Sequence, residues 1–299
     1  MKLEIRFIGV GAVKSGSSWM ASLLGQHPEV CMSFRKEVSY FNRLNLNGTS
    51  NTSSYYDFSY YEKFWPKNNK IKGEVSPQYL FDKHAPSSIK KIFPDTHILI
   101  MLRNPKEVVY SHFLYEKLFN RSIESKLSLE KAIQTNSYLL ETASFSSQVE
   151  RYLKEFGSDK VHVYILEEAL KDPSVFSKKL YSDISLINVD FKPSYNSVNQ
   201  SKKVRSNLIH SLLVFLSRLK KYIEGSRWNS GLFDNIKQTK IYISLVQSRN
   251  SVLDKNVTLV KKPKMSLKDN KYLESYFKND IEVLEGLLDR DLSVWKASD

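Results

Sequence analysis

Arg6-Phe-Ile-Gly-Val-Gly-Ala-Val-Lys-Ser-Gly-Ser-Ser-Trp19 opens on a short apolar run, stops in small residues and continues into Met20-Ala-Ser-Leu-Leu24. The order is strand, tight loop, helix. Phe7 to Gly11 suits a buried strand, Ser17 or Ser18 suits the first turn of a helix, and Trp19, Leu23 and Leu24 give that helix an inward face. The loop thus ends at a helix N-terminus, where exposed N–H groups and the positive end of the helix dipole favour phosphate or sulfate. Lys14 adds a full positive charge. The spacing Gly11-x4-Gly16 is that of a nucleotide-triphosphate loop, but Ser17 and Ser18 stand where such a loop carries Lys and Ser/Thr. The lysine instead precedes Gly16 by two residues, so the expected anion is shorter than a triphosphate.

At 299 residues and 41% hydrophobic content, the chain can form one α/β domain with additions or two modest domains, and it can bury a proper core. A net charge of +13 calls for an anion: nucleic acid, acidic glycan, an anionic membrane surface or a small polyanionic cofactor. Basic residues are spread along the chain, with modest concentrations at Lys202 to Arg205 and Lys261 to Lys264. No zinc spacing or nucleic-acid motif accompanies them, so nucleic acid is not the expected partner. The single cysteine, Cys31, excludes an intramolecular disulfide and a cysteine-based metal site, and the six histidines show no metal-ligand spacing. No apolar run approaches the ~20 residues of a membrane span. A chain whose first strand follows Met1 within a few residues leaves no room for a secretory leader, which predicts a cytoplasmic location.

The pattern then alternates. Gly25-Gln-His-Pro28 ends the first helix, Val30 to Met32 makes a short second strand, and Ile71 to Leu80 reads as a third strand ending in a turn. His84 to Phe93 is a helix. His97-Ile-Leu-Ile-Met-Leu102, apolar throughout, is the central strand, and it delivers Arg103 to the sheet's C-terminal edge. Asn104 suits an N-cap and Pro105 the first helical position of a helix over 106–119. Leu127 to Phe156 is helical with an interruption, Lys160 to Leu170 gives a fifth strand and its turn, followed by Asp172-Pro173, and Val175 to Ile184 the helix after it. Five strands alternating with helices predict a P-loop-like α/β fold, a parallel doubly wound sheet whose ligands sit at the strands' C-terminal ends. From about Val198 the alternation stops. A helix over 206–223 carries an apolar stripe suited to packing on its own domain or to touching a membrane, the former being the commoner use, and two amphipathic stretches, 267–277 and 281–288, precede Trp295. The expected division is an α/β core over 1–200 and a helical C-terminal part of the same domain over 201–299.

Lys14-Ser-Gly-Ser-Ser-Trp19 resembles the K-S-G-T-[ST]-W loop of sulfotransferases that use 3′-phosphoadenosine 5′-phosphosulfate (PAPS), and Arg103-Asn-Pro-x5-Ser111 is similar to their second cofactor motif. Lys36-Glu-x-x-Tyr-Phe41 matches a K-E-x-x-[FY]-F segment of the glycan-acting and bacterial branches, and Gly73-Glu-x-Ser-Pro-x-Tyr79 resembles a further segment of the same family. Some glycan-specific members carry a functional lysine where this chain has Val75. The resemblance implies that Lys14, Ser15, Gly16, Ser17 and Ser18 hold the 5′-phosphosulfate, that Trp19 contacts adenine, and that Arg103 and Ser111 bind the 3′-phosphate. A basic loop at Lys261 and Lys262 would close on that end. Glu37 would be the catalytic base, since an acceptor hydroxyl becomes nucleophilic only as its proton leaves. Lys36, Ser76, Tyr79 and His112 are acceptor-side candidates, with His112 and His84 the alternatives as base. The expected reaction is in-line sulfuryl transfer to a saccharide or small-molecule hydroxyl or amine, leaving 3′-phosphoadenosine 5′-phosphate (PAP) and requiring no metal. Two other readings fit the loop: a nucleoside or nucleotide kinase, and a non-catalytic anion- or glycan-binding module.

Overall fold

The computed structural model describes residues 3–42, 58–120, 122–124, 126–195, 202–204, 206, 257–259 and 262–296. Two compact units emerge. The first comprises Met1–Phe113, Leu127–Val198 and Met265–Asp299, and the second Leu114–Lys126 and Asn199–Lys264. The tail from residue 265 thus groups with the α/β core in the first unit.

The first unit is built on a five-stranded sheet of β1 (Phe7–Gly11), β2 (Val30–Met32), β3 (Ile71–Val75), β4 (His97–Leu102) and β5 (Val161–Ile165). The order is β2-β3-β1-β4-β5 and every pairing is parallel, with Ile8 opposite both Glu74 and Ile98. All residues of β1 and β4 are buried, which is why both read as continuous apolar or small runs rather than alternating ones. The chain leaves β1 toward β2 on one side and β4 toward β5 on the other, so the C-terminal ends of β1 and β4 border the crevice where the winding reverses.

Helices α1 (Ser17–Gln26), α2 (Phe58–Glu62), α3 (Ala85–Ile92), α4 (Pro105–Tyr115), α5 (Leu129–Thr135), α6 (Tyr138–Glu141) and α7 (Phe145–Phe156) follow the expected alternation. The interruption expected between 127 and 156 resolves into α5, α6 and α7. After β5 the chain forms α8 (Leu166–Lys171), where only a turn was expected, and then α9 (Pro173–Asp183). Asp172 separates the two: its Oδ1 accepts the N–H groups of Ser174 and Val175 at 3.1 and 3.0 Å, and Pro173 takes the first helical position. The two amphipathic stretches of the tail form one helix, α10 (Leu267–Leu288). The intervening Lys278-Asn-Asp280 contains no helix breaker, and Asp280 faces α7, where its carboxylate accepts the N–H groups of Phe145 and Ser146 at 2.8 and 3.2 Å.

In the second unit α4 ends and continues as a π-helical turn, Glu116–Asn120, and β6 (Lys202–Val204) pairs antiparallel with β7 (Val257–Leu259). The helix expected over 206–223 lies outside the described residues beyond Ser206. Among the described residues no helix is long and apolar enough to cross a membrane.

Candidate active site

The loop after β1 takes its shape from two left-handed residues, Lys14 with φ 59° and Gly16 with φ 87°. The left-handed φ of Gly16 is one that residues with a β-carbon rarely adopt, and a β-carbon there would also press on the Leu166 side chain at 2.7 Å from Cδ1. Gly16 is the N-cap of α1 and no side chain caps that helix, whose N-terminus therefore faces the loop with its dipole uncompensated. Ser15 is wholly buried and donates its hydroxyl to the Val13 carbonyl at 3.3 Å; Ser17 is buried and Ser18 half-buried. Trp19 is 4% exposed and stacks on Phe176 with ring centroids 5.3 Å apart. One face of its indole is covered from within, so it braces the loop from the core side.

Arg103 arrives at the same place from β4. Its Nη1 donates to the Lys14 carbonyl at 3.4 Å and its Nη2 pairs with Glu107 at 3.1 Å. Each terminal nitrogen keeps a second hydrogen for an anion. Ser111 is half-buried, one helical turn beyond Glu107 on the same face of α4. Asn104 starts that helix as expected, its Oδ1 accepting from the Lys106 N–H at 3.1 Å. A second support came from residues the sequence did not single out. Glu167 accepts the Asn104 N–H at 2.9 Å with one oxygen and the Trp295 indole N–H at 3.0 Å with the other, while Asn104 Nδ2 donates to the Trp295 carbonyl at 3.1 Å. Nothing local in Glu167 marks it, because its partners lie 63 and 128 positions away.

A small cleft brings Ser17, Ser18 and Ala21 of α1 together with Lys36, Glu37, Val75 and Pro77. Glu37 stands at its wall with a side chain 37% exposed, and Lys36 approaches it at 3.9 Å while remaining 64% exposed. The acid expected to act as base is thus placed beside the anion loop. Val75 lines the cleft where some glycan-specific relatives carry lysine.

Two acceptor-side candidates sit elsewhere. Ser76 and Tyr79 are wholly buried and do not line the cleft; they hold the buried carboxylate of Glu74. Ser76 Oγ donates to Glu74 Oε2 at 2.6 Å, Tyr61 Oη to Oε1 at 2.8 Å, and Tyr79 Oη faces both oxygens at 3.3 and 3.4 Å. Burial pushes the Glu74 carboxyl up to about 7, against the lowering effect of these hydrogen bonds. His112 is buried edge-on to Tyr138, and His84 sits at the start of α3. Lys261 lies outside the described residues and Lys262 belongs to the second unit. Among the described residues no group of three or more His, Cys, Asp or Glu side chains could hold a metal ion.

Comparison with known proteins follows this geometry. Residues 5–184 match the model of the family described as "Sulfotransferase domain". The chain is 28% identical over 157 residues to the membrane-associated sulfotransferase kil1 of Dictyostelium discoideum, covering 52% of this chain and 32% of that protein. It is 22% identical over 271 residues to the bifunctional heparan sulfate N-deacetylase/N-sulfotransferase 1 of Caenorhabditis briggsae, covering 78% of this chain and 30% of that protein. The chain therefore spans about a third of the length of these curated relatives. The crystal structure of a sulfotransferase from Alicyclobacillus acidocaldarius has the same fold, with a TM-score of 0.67, 22% identity and coverage of 99% of this chain and 100% of that one. Mouse sulfotransferase SULT7A1 complexed with PAP superposes with a TM-score of 0.50 at 16% identity, over 96% of this chain and 88% of that one. A family match across residues 5–184, more than half of the chain, means that this chain belongs to the sulfotransferase domain family.

Proposed function

We propose that the chain transfers a sulfuryl group from PAPS to a hydroxyl or amine of a saccharide or small-molecule acceptor. The observation that carries this reading is the cleft in which Ser17 and Ser18, at an uncapped helix N-terminus, meet Glu37. The residues present suit a donor with two separated phosphates: the loop with Lys14 offers one anion site, and Arg103, braced on the Lys14 carbonyl, offers a second beside it. Relatedness to an N-sulfotransferase and a fold shared with a PAP complex support the same donor.

PAPS bound here supplies an activated sulfuryl group on a phosphate leaving group. Lys14 and the first N–H groups of α1 stabilise the charge that develops on that phosphate, at positions set before the reaction begins. Glu37, across the cleft from Ser17 and Ser18, takes the acceptor's proton, and the cleft holds the two reactants in line. Arg103 and Ser111 hold the 3′-phosphate. The decisive experiment incubates the protein with labelled PAPS and a panel of saccharide, small hydroxylated and amine acceptors. Label transfer to an acceptor is expected. PAP binding without transfer to any of them would leave an anion-binding module, and calorimetric binding of ATP in preference to PAP would revive the kinase reading.

A further inference from the structure

We propose that Glu74 is the positioning residue for Glu37: its buried carboxylate, through Ser76 and Tyr79, fixes the backbone of Ser39 and Tyr40 and thereby the place from which Glu37 reaches the cleft. This inference rests on the reading of Glu37 as the base.

The connection runs through two layers of hydrogen bonds. The Ser39 N–H donates to Ser76 Oγ at 3.2 Å and the Tyr40 N–H to Tyr79 Oη at 2.8 Å. Ser76 in turn gives its proton to Glu74 at 2.6 Å, and Tyr79 points its own at the same carboxylate. A hydroxyl has one proton. Because Ser76 and Tyr79 spend theirs on the carboxylate, their lone pairs are left facing the backbone N–H groups. Two consecutive amides that follow shortly after Glu37, those of Ser39 and Tyr40, are thereby anchored on one buried acid through hydroxyls.

The anchored segment needs the anchor. Ser39 has φ 55°, a left-handed conformation that a residue with a β-carbon adopts only where its surroundings hold it. Glu74 itself is an expensive group to bury, and an apolar side chain of similar volume is often at least as stable in such a place. A carboxylate earns its position here by orienting hydroxyls, which no apolar group does. The titratable groups around it are the phenols of Tyr61 on α2, Tyr79 on the turn after β3 and, next to Tyr61, Tyr40 of the anchored segment itself. Burial pushes both Tyr61 and Tyr79 well above the usual phenol range, so they stay protonated donors. A proton placed on Glu74 forces one hydroxyl to turn and accept it, which releases an anchor. With the carboxyl held near 7 by burial, that release falls in the neutral range.

The test is Glu74→Gln, read by amide hydrogen exchange at Ser39 and Tyr40 and by kinetics. The variant's side-chain amide points two N–H groups at donors, so exchange of these amides is expected to rise about tenfold or more, as for the loss of one buried hydrogen bond. Turnover should fall at least as far while PAP affinity stays within about twofold, and the acid limb near pH 7 should disappear from the rate profile. Tyr79→Phe, which keeps the ring, should release Tyr40 but not Ser39. If Glu74→Gln does not fold, Tyr79→Phe and Ser76→Ala decide by the same exchange readout. Unchanged protection of Ser39 and Tyr40 in these variants, or a loss of PAP affinity in step with turnover, overturns the proposal. If Glu37→Gln keeps full turnover, the reading of Glu37 fails by itself, whereas the exchange result still reports whether Glu74 holds the segment.

Discussion

Arg103 Nη1 lies 3.4 Å from the carbonyl oxygen of Lys14, a hydrogen bond between residues 89 apart in the chain. It ties the loop after β1 to the turn after β4 across the crevice where the sheet's winding reverses. The guanidinium thereby has two tasks, bracing the loop and offering its remaining hydrogens to a phosphate. These tasks separate experimentally.

Arg103→Ala is expected to weaken PAP binding roughly ten- to a hundredfold, the range for charge-assisted hydrogen bonds. It should also abolish the preference for PAP over adenosine 5′-phosphate, which lacks the 3′-phosphate. Calorimetry with both ligands checks this. A variant that binds PAP weakly yet keeps the full preference shows that Arg103 serves the loop alone.

Glu37→Gln preserves shape and removes the ability to take a proton. Cofactor affinity should persist while turnover drops ~10²–10⁴-fold, the usual contribution of a general base. A loss below about tenfold moves the role to another residue, and His112 and His84 are then the variants to make.

Glu74 makes a distinct stability prediction. Its carboxyl titrates near 4.5 when unfolded and near 7 when folded, so between these values the folded state keeps a proton that the unfolded chain has lost. Stability from this group is fully present below the lower value and is lost as pH rises through the upper, by about 3 kcal/mol. His97 tilts the other way: burial first, then the nearby Lys160, lowers its pKa to about 4, so stability falls as pH drops from 6.5 toward 4. Urea unfolding of wild type and Glu74→Gln at pH 5 and pH 8 isolates the Glu74 part as the change in their difference. Parallel behaviour of the two proteins would mean that Glu74 does not titrate in this range.

Glu167→Ala removes the acceptor shared by the Asn104 N–H and the Trp295 indole. The expected cost is about 1–3 kcal/mol in chemical denaturation. PAP affinity should fall with it, because Asn104 is the immediate neighbour of Arg103. Intact affinity in a destabilised variant would confine the bridge to a structural role.

What the sequence determined by itself was whatever depends on neighbours in the chain. A run of buried strand residues, a glycine–serine turn with one lysine, and Asn-Pro after an apolar strand specify local conformation, because steric limits, caps and side-chain periodicity act over a few residues. The parallel sheet, the strand–loop–helix at β1 and α1 and the delivery of Arg103 to the sheet edge were legible for that reason, whereas the reading of Glu37 came from the resemblance of its motif. The tertiary structure decided what depends on residues far apart. It sent Ser76 and Tyr79 inward rather than to the cleft, because a buried carboxylate must be hydrogen-bonded and Glu74 lies two and five residues away on the same strand end. It turned Trp19 onto Phe176, merged the tail's two stretches into one helix capping α7, and joined Glu167 to Trp295. None of these pairings leaves a mark in local sequence, since burial and hydrogen-bond satisfaction are settled only when distant segments share a core.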